Sequence, residues 1–494
     1  MAQLTRRALL LGAGGAIGWA AGRMSKPDLP SRTGTAAVLT SDAPQLLNDA
    51  SGLSATPVHH HRTLTDGGDA LIQALRAEMD DARANGRPVN IGAARHSMGG
   101  QAIPREGHAL TFDNAGLEPD TAKGTYRVHA GARWSQIIQT LDPLGFSPKV
   151  MQSNNDFGVA ATFCVNAHGW PVPIGPMGAT VRSIDMVVPE GDLVTCSRTE
   201  NADLFALAMG GYGLSGAIVS MEVDMVPNLR LEPTFEKMPA RDFATAFGAA
   251  LKDPEVNMAY GRLNVDRESF FEDALMITYR PSADQSDLPA ASGSGLMSKL
   301  ARHVYRAQLG REWAKDLRWW VETGLGPAIG GGAVTRNSLI NEPVVTLDDR
   351  DPTRTDILHE YFIGLDRFPE FLDVCREVIP ASYQSFLNVT LRFIDTDDTS
   401  LLSYAPVPRI AAVMSFSQEM TERAEADMAR MTQALVDGIT SIGGSYYLPY
   451  RPHPTVDQFV AAYPKASDFA ARKRVLDPGG LFRNNLWDSY LEPL

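Results

Sequence analysis

The sequence predicts an α+β protein of more than one domain, and three observations carry that prediction. A helical pattern, a short apolar strand and a tight small-residue turn follow one another between residues 66 and 101. Strand-length apolar runs then recur to about residue 226, separated by glycine turns. After about residue 229 the texture changes to longer helices and fewer glycines, as a second α+β unit would show. At 494 residues the chain is long enough for two or three domains with substantial cores.

Each element has a local reason. Asp66 to Asn85 repeats apolar residues at helical spacing, with Leu71, Ile72, Leu75, Met79 and Ala82 on one face. Gly86 and Pro88 stop that helix, and Val89 to Ile91 forms a strand running into Gly92-Ala-Ala-Arg-His-Ser-Met-Gly-Gly-Gln101. Glycine and alanine let backbone N–H groups approach a phosphate-bearing ligand closely. Gly131-Ala-Arg-Trp134 opens a helix, and a second small-residue stretch runs from Phe157 to Gly169. Tyr126–Ala130 and Ser183–Val188 read as strands, the latter closed by the turn Pro189-Glu-Gly-Asp192. Asn201 to Met209 reads as a short helix ending at Gly210-Gly211, and Ala217 to Val226 alternates as a strand. Pro281 to Gly295 reads as a mobile surface loop. The helix expected after it is basic and aromatic, with Lys299, Arg302, Arg306, Arg311, Lys315 and Arg318 beside Tyr305, Trp313, Trp319 and Trp320, a pattern suited to peripheral membrane contact or an anionic substrate.

Composition narrows the function classes. A net charge of −13 argues against nonspecific nucleic-acid binding, which needs a basic surface. Cys164, Cys196 and Cys375 have neither metal-ligand spacing nor the even number of a disulfide scaffold. His59-His60-His61 lacks supporting Cys or carboxylate spacing, reads as loop residues, and leads to no expected metal site. Thr5-Arg6-Arg7 ahead of the apolar, glycine-rich run Leu9 to Ala21 resembles a twin-arginine export signal. Residues 1–30 are therefore expected to be a signal and 31–58 a linker, with the protein periplasmic or anchored on the outer membrane face.

The ordered motifs His96-Ser-Met-Gly-Gly, Gly131-x-x-Trp134, Asn166-Ala-His-Gly169, Pro189-Glu-Gly-Asp192 and Gly210-Gly-Tyr-Gly-Leu-Ser-Gly216 resemble the FAD domain of the vanillyl-alcohol oxidase (PCMH-type) family. The tail Asp477-Pro-Gly-Gly-Leu-Phe-Arg-Asn484 resembles that family's closing segment. The pattern is most like the aldonolactone, alditol and decaprenylphosphoryl-ribose oxidases, including D-arabinono-1,4-lactone oxidases. The resemblance implies a two-part FAD-binding domain at 59–228, a substrate domain at 229–455, and a segment at 456–494 that returns to the FAD domain.

It also implies the cofactor and its contacts. Gly92, Ala93, Ala94, Arg95, His96, Ser97, Gly99, Gly100 and Gln101 would meet FAD from the first turn. Asn155, Gly158, Ala161, Thr162, Asn166, His168 and Gly169 would meet it from the second, with Gly216, Ile218 and Asn484 completing the set. His96 matches the histidine that bonds to the flavin in covalent members. Ser153 and Asn154 stand where doubly linked members carry a cysteine, and Cys164 comes too late to replace it.

On the substrate side, Asn388-Val-Thr-Leu-Arg392 resembles a Glu-x-Arg strand of the family. Arg392 matches the arginine, whereas Thr390 occupies the glutamate's place. Tyr446-Tyr-Leu-Pro-Tyr-Arg-Pro-His453 partly resembles an Arg-Pro-His-x-x-Lys segment that lacks its lysine here, which nominates Tyr450 or His453 for proton transfer. Asp397 and Asp398 read as loop residues, and Glu360 as a strand residue of open role. The implied activity is FAD-dependent oxidation of a CH–OH group in a sugar, polyol or lactone, with oxygen or a respiratory carrier as acceptor. A flavin-dependent C=C reductase or sterol oxidase of the same fold, and a noncatalytic membrane-associated relative, stay open at this point.

Overall fold

The computed structural model describes residues 45–292, 305–325, 332–342 and 351–494. The paired-arginine segment, Lys299 and Arg302 lie outside them. Three layers of sheet organise the described chain, preceded by an antiparallel pair, β1 (Gln45–Leu47) with β2 (Thr56–Val58). That pair corrects the end of the expected linker, because Leu47 and Val58 bury against Ile103 and Ala109.

The first sheet is parallel. β3 (His60–Leu64), β4 (Val89–Ile91) and β5 (His108–Phe112) lie in the order β3-β5-β4. The Gly68–Ala84 helix covers it with Leu71, Ile72, Leu75, Met79 and Ala82, the apolar face visible in the sequence, and adds a buried Glu78. His60 and His61 therefore belong to a strand rather than a loop. The second sheet contains β6 (Leu117–Asp120), β7 (Thr125–His129), β8 (Phe146–Pro148), β9 (Val181–Val187), β10 (Leu193–Ser197) and β11 (Ala217–Pro227). Its order is β10-β9-β11-β7-β6, with β8 pairing the far end of β11. The Trp134–Leu141, Val159–Cys164 and Ala202–Ala208 helices connect these strands. Apolar residues of both sheets and their helices form one continuous core.

The second unit is built on strands more than the sequence texture suggested. β12 (Arg230–Pro239), β13 (Met258–Leu263), β14 (Asp273–Pro281), β15 (Val334–Thr335), β16 (Arg354–Ile363), β17 (Ser385–Ile394), β18 (Arg409–Glu419) and β19 (Ser445–Tyr446) make an eight-stranded sheet, ordered β15-β12-β14-β13-β17-β18-β16-β19. The Phe243–Ala250, Phe368–Val378 and Glu422–Ser441 helices bury Phe243, Phe247, Phe371, Leu372, Met431 and Leu435 in the core that includes Leu391, Ala412 and Phe416. Alternation along β16 to β18 leaves the opposite face for a ligand.

The expected basic helix is broken at Gly310, whose φ of +66 favours glycine. Three of its described cations are paired, Arg306 with Asp356, Lys315 with Glu312, and Arg318 with Glu322. The Glu312–Trp320 helix exposes three large apolar side chains, Trp313, Leu317 and Trp320, alongside Asp316. Among the described residues, no helix is long and apolar enough to cross a membrane.

Candidate active site

A cavity lies where the two small-residue turns meet the open face of the eight-stranded sheet. Its floor is the Gly92–Ser97 turn. β4 pairs with β5, and the Gly92 N–H donates to the Leu110 carbonyl, which fixes where the turn departs. Arg95 takes a left-handed φ of 52, and its carbonyl accepts from the Ala50 N–H at 3.0 Å. The second wall is the Val159–Cys164 helix and the chain before it. Thr162 ties this wall together by accepting from the Trp134 indole N–H at 2.9 Å, with its own Oγ1 3.0 Å from Gln152 Oε1.

Several buried polar atoms on these walls have no hydrogen-bond partner among the described residues: Arg95 Nε and Nη2, His96 Nε2, His168 Nδ1 and Arg392 Nε. Buried polar groups are normally satisfied, so such a concentration around one cavity marks a polar ligand. Burial lowers the Arg95 guanidinium to about 10 from its usual range, with Arg133 adding repulsion. An anion would relieve both effects. Burial also lowers His96 to about 4, against a smaller opposing pull from Asp156, so the ring is a neutral imidazole near pH 7. His96 packs on Phe157 with ring centroids 4.1 Å apart. Gly216 holds a φ of +145 at the rim, and a Cβ there would meet the Val187 carbonyl at 2.5 Å. A side chain would therefore push β11 away from β9.

The opposite wall carries a chemical constellation from three chain segments. Glu360 (β16) lies directly across β18 from Thr390 (β17), through Val413. Residues opposite one another share a face, so Glu360 presents a carboxylate about 10 Å away, at the same height as the position where the sequence pattern lacked one. Glu360 is 3% exposed, pairs with His168 Nε2 through Oε1, and accepts from the Tyr450 hydroxyl at 3.3 Å through Oε2. Arg392 shares the cavity and donates to Ser153 Oγ. Burial raises the Tyr450 and Tyr447 hydroxyls well above the ordinary tyrosine range, with the Glu360 charge reinforcing it, and both stay protonated.

Of the residues nominated from sequence, Gly92, Ala93, Ala94, Arg95, His96, Ser97, Gly158, Ala161, Thr162, His168, Gly216, Ile218, Arg392 and Tyr450 line this cavity. The others stand behind it. Gly99 donates to Gln101 Oε1, Gly100 to Asp49 Oδ2, and the Gln101 amide to the carbonyls of Leu448 and Tyr450, which anchors the Tyr450 loop. Asn155 hydrogen-bonds Asn341. Asn166, with a left-handed φ of 46, bridges the Gly178 N–H and Asp397. Gly169 packs so closely that a Cβ would sit 2.0 Å from the Met151 carbonyl. Asn484 binds Asn90 and the Tyr212 carbonyl.

Two catalytic nominations change. Thr390 is buried, and its hydroxyl accepts from Arg262 at 3.3 Å rather than lining the cavity. His453 pairs with Glu425 at 2.8 Å and contacts Thr432, away from the cavity wall. Its proximity in sequence to Tyr450 is misleading because the chain leaves the cavity only after Tyr450. Gln152, Ser153, Cys164, Tyr212 and Tyr447 also line the cavity, and sequence reasoning did not nominate them. Burial pushes the Cys164 thiol up to about 12, so it lines the wall as a neutral thiol.

Residues 71–197 match the FAD binding domain family. The chain is 32% identical over 196 residues to L-galactono-1,4-lactone dehydrogenase 2, mitochondrial, of Oryza sativa subsp. japonica, covering 39% of this chain and 33% of that protein. It is 29% identical over 164 residues to an alditol oxidase of a Streptomyces species, covering 32% and 39% respectively. Cytokinin dehydrogenase 8 of Oryza sativa subsp. indica is 28% identical over 169 residues, 31% of each chain. The matches span roughly a third of each relative's length. The chain therefore carries an FAD-binding domain, and the cavity's unpaired donors and glycine-built walls fit FAD.

Proposed function

We propose that this FAD-binding chain is an oxidoreductase that oxidises a CH–OH group of a sugar alcohol, an aldonolactone or a related small alcohol. The observation that carries the reading is the buried Glu360–His168–Tyr450 cluster facing the same cavity as the FAD-binding turns, with Arg392 beside it. FAD, when bound, supplies the acceptor for the hydride leaving the substrate carbon. The Gly92–Ser97 turn, with the unbonded Arg95 guanidinium nitrogens, would hold the cofactor's phosphates. The Glu360 carboxylate takes the hydroxyl proton, while His168 Nε2 and the Tyr450 hydroxyl donate to the carboxylate and orient it. Arg392 stabilises negative charge developing on the substrate oxygen. The walls exclude water, which strengthens each of these interactions. Oxygen or a respiratory carrier then takes the electrons.

Anaerobic mixing with a panel of alditols, aldonolactones, free sugars and sterols tests this reading. Bleaching of the flavin band by an alditol or lactone is the expected result. Bleaching by NAD(P)H alone, with none by any alcohol, would instead indicate a reductase.

The reading includes a covalent bond between His96 and the flavin 8α-methyl carbon, which would replace one methyl C–H bond and leave two electrons for the same oxygen or respiratory acceptor to remove. It is supported by the neutral ring, by an Nε2 that makes no hydrogen bond and lies 3.6 Å from Asp156, and by the position of His96 in the cavity. Acid precipitation of the wild type is expected to leave flavin fluorescence in the pellet, whereas His96→Ala releases all of it to the supernatant. A colourless pellet from yellow wild-type protein would eliminate the bond.

A further inference from the structure

A second cluster of chemistry-bearing side chains lies at the far end of β5 from the cavity. Parallel pairing sets His60 directly beside His108, and His59 precedes β3 on the same edge. The ring centroids of His108 lie 4.3 Å from His60 and 5.2 Å from His59. One ring nitrogen from each of the three lies within 4.8 Å of the others. The Gly68–Ala84 helix crosses this group and presents Glu78 and Asp81, one turn apart on neighbouring faces.

The hydrogen bonds decide what the imidazoles can do. Glu78 Oε2 lies 2.9 Å from both His60 Nε2 and His108 Nδ1, and Glu78 Oε1 accepts from Arg62 at 2.6 Å. A carboxylate that accepts from one nitrogen of a neutral imidazole leaves the lone pair on the other. This arrangement typically orients a metal-binding histidine. In His108 that other atom, Nε2, is fully buried, makes no hydrogen bond, and lies 3.5 Å from Asp81 Oδ2. His61, although next in sequence, turns to Thr111 instead, 3.0 Å away.

We propose that His59, His60 and His108, with Asp81 as fourth ligand and Glu78 as the orienting carboxylate, bind a divalent transition metal of the zinc type. Three imidazoles and one carboxylate are a donor set that zinc accepts in tetrahedral geometry. Zinc–nitrogen bonds of about 2.0–2.1 Å place tetrahedral ligand atoms about 3.4 Å apart, so the three imidazoles need to close by up to about 1.4 Å, and the exposed Asp81 side chain, 3.5 Å from His108 Nε2, turns in to complete the set. The ion would fasten β3 and β5 to the helix covering them. Phe112 at the other end of β5 reaches the cavity, about 13 Å away, so the site is structural rather than catalytic.

The test uses untagged, flavin-loaded protein stripped with a chelator and titrated with zinc or cobalt alone. The expected results are about one equivalent bound, a dissociation constant at or below about 1 µM, and visible cobalt absorption bands of a tetrahedral site. Zinc is also expected to raise the thermal midpoint by a few degrees. His59→Ala and Asp81→Asn change exposed or half-exposed positions and should fold, and each should weaken binding at least about tenfold. His61→Ala should bind like the wild type. Absence of the cobalt bands would overturn the proposal, as would undiminished affinity in both His59→Ala and Asp81→Asn.

Discussion

Glu360→Gln is expected to lower kcat on the best alditol or lactone substrate by about 10²- to 10⁴-fold, the range a positioned proton acceptor supplies. The substitution keeps the shape and the capacity to accept from Tyr450, but removes the charge and the ability to take a proton. FAD content, the flavin spectrum and the thermal midpoint are expected to stay near wild type, because Glu360 touches the open face of its sheet rather than the apolar core. Stopped-flow measurement of flavin bleaching isolates the chemical step from reoxidation. Thr390→Ala provides the contrast: its hydroxyl meets Arg262 outside the cavity, so its bleaching rate should change by less than about threefold. Wild-type bleaching in Glu360→Gln would remove Glu360 from proton transfer. It would leave the FAD-binding part of the reading untouched.

Asp477→Ala is expected to destabilise the fold by about 3–5 kcal/mol, the cost of leaving a buried charge unpaired. Asp477 is 4% exposed and accepts from Lys473 Nζ at 2.7 Å and from the N–H groups of Leu481 and Phe482 at 2.9 and 2.8 Å. Lys473, 1% exposed, also sits over the Trp487 ring at 4.8 Å. Removing the carboxylate strands a cation and two backbone donors together. The loss reaches the cofactor site through the backbone. The Leu481 carbonyl accepts from the Val89 N–H at 2.7 Å, and Asn484 holds Asn90, so the strand feeding the Gly92–Ser97 turn loses its outer support. Urea unfolding, followed by far-UV circular dichroism and by flavin fluorescence together, measures both effects. Pairing Asp477→Ala with Lys473→Met should recover part of the stability, since the second change removes the stranded charge. A midpoint unchanged in the single variant would show that the pair contributes little.

The legible parts of the fold were those governed by short-range rules. The Gly68–Ala84 helix was visible because its apolar residues repeat at helical spacing, and β4 because proline and glycine bracket it. The turns carrying His96 and His168 stood out because a close approach of backbone to ligand restricts side-chain size. The second unit was harder. Its strands are buried against helices on one face and line a cavity on the other, so β16 to β18 do not alternate cleanly between apolar and polar residues. Glu360 illustrates the consequence: nothing within its own segment distinguishes it from any strand carboxylate.

The sequence by itself determined an acidic α+β chain and a small-residue turn presenting His96, because these follow from composition, periodicity and backbone sterics within a few residues, while FAD followed from the resemblance carried by the ordered motifs. Only the tertiary structure decided which carboxylate faces the cofactor. Strand order brought Glu360 across β18 to the height of Thr390 and sent His453 into an ion pair with Glu425. Pairing between strands 48 residues apart likewise set His60 against His108. Contacts of that kind depend on sheet register, a property shared between distant segments and recorded in neither one alone.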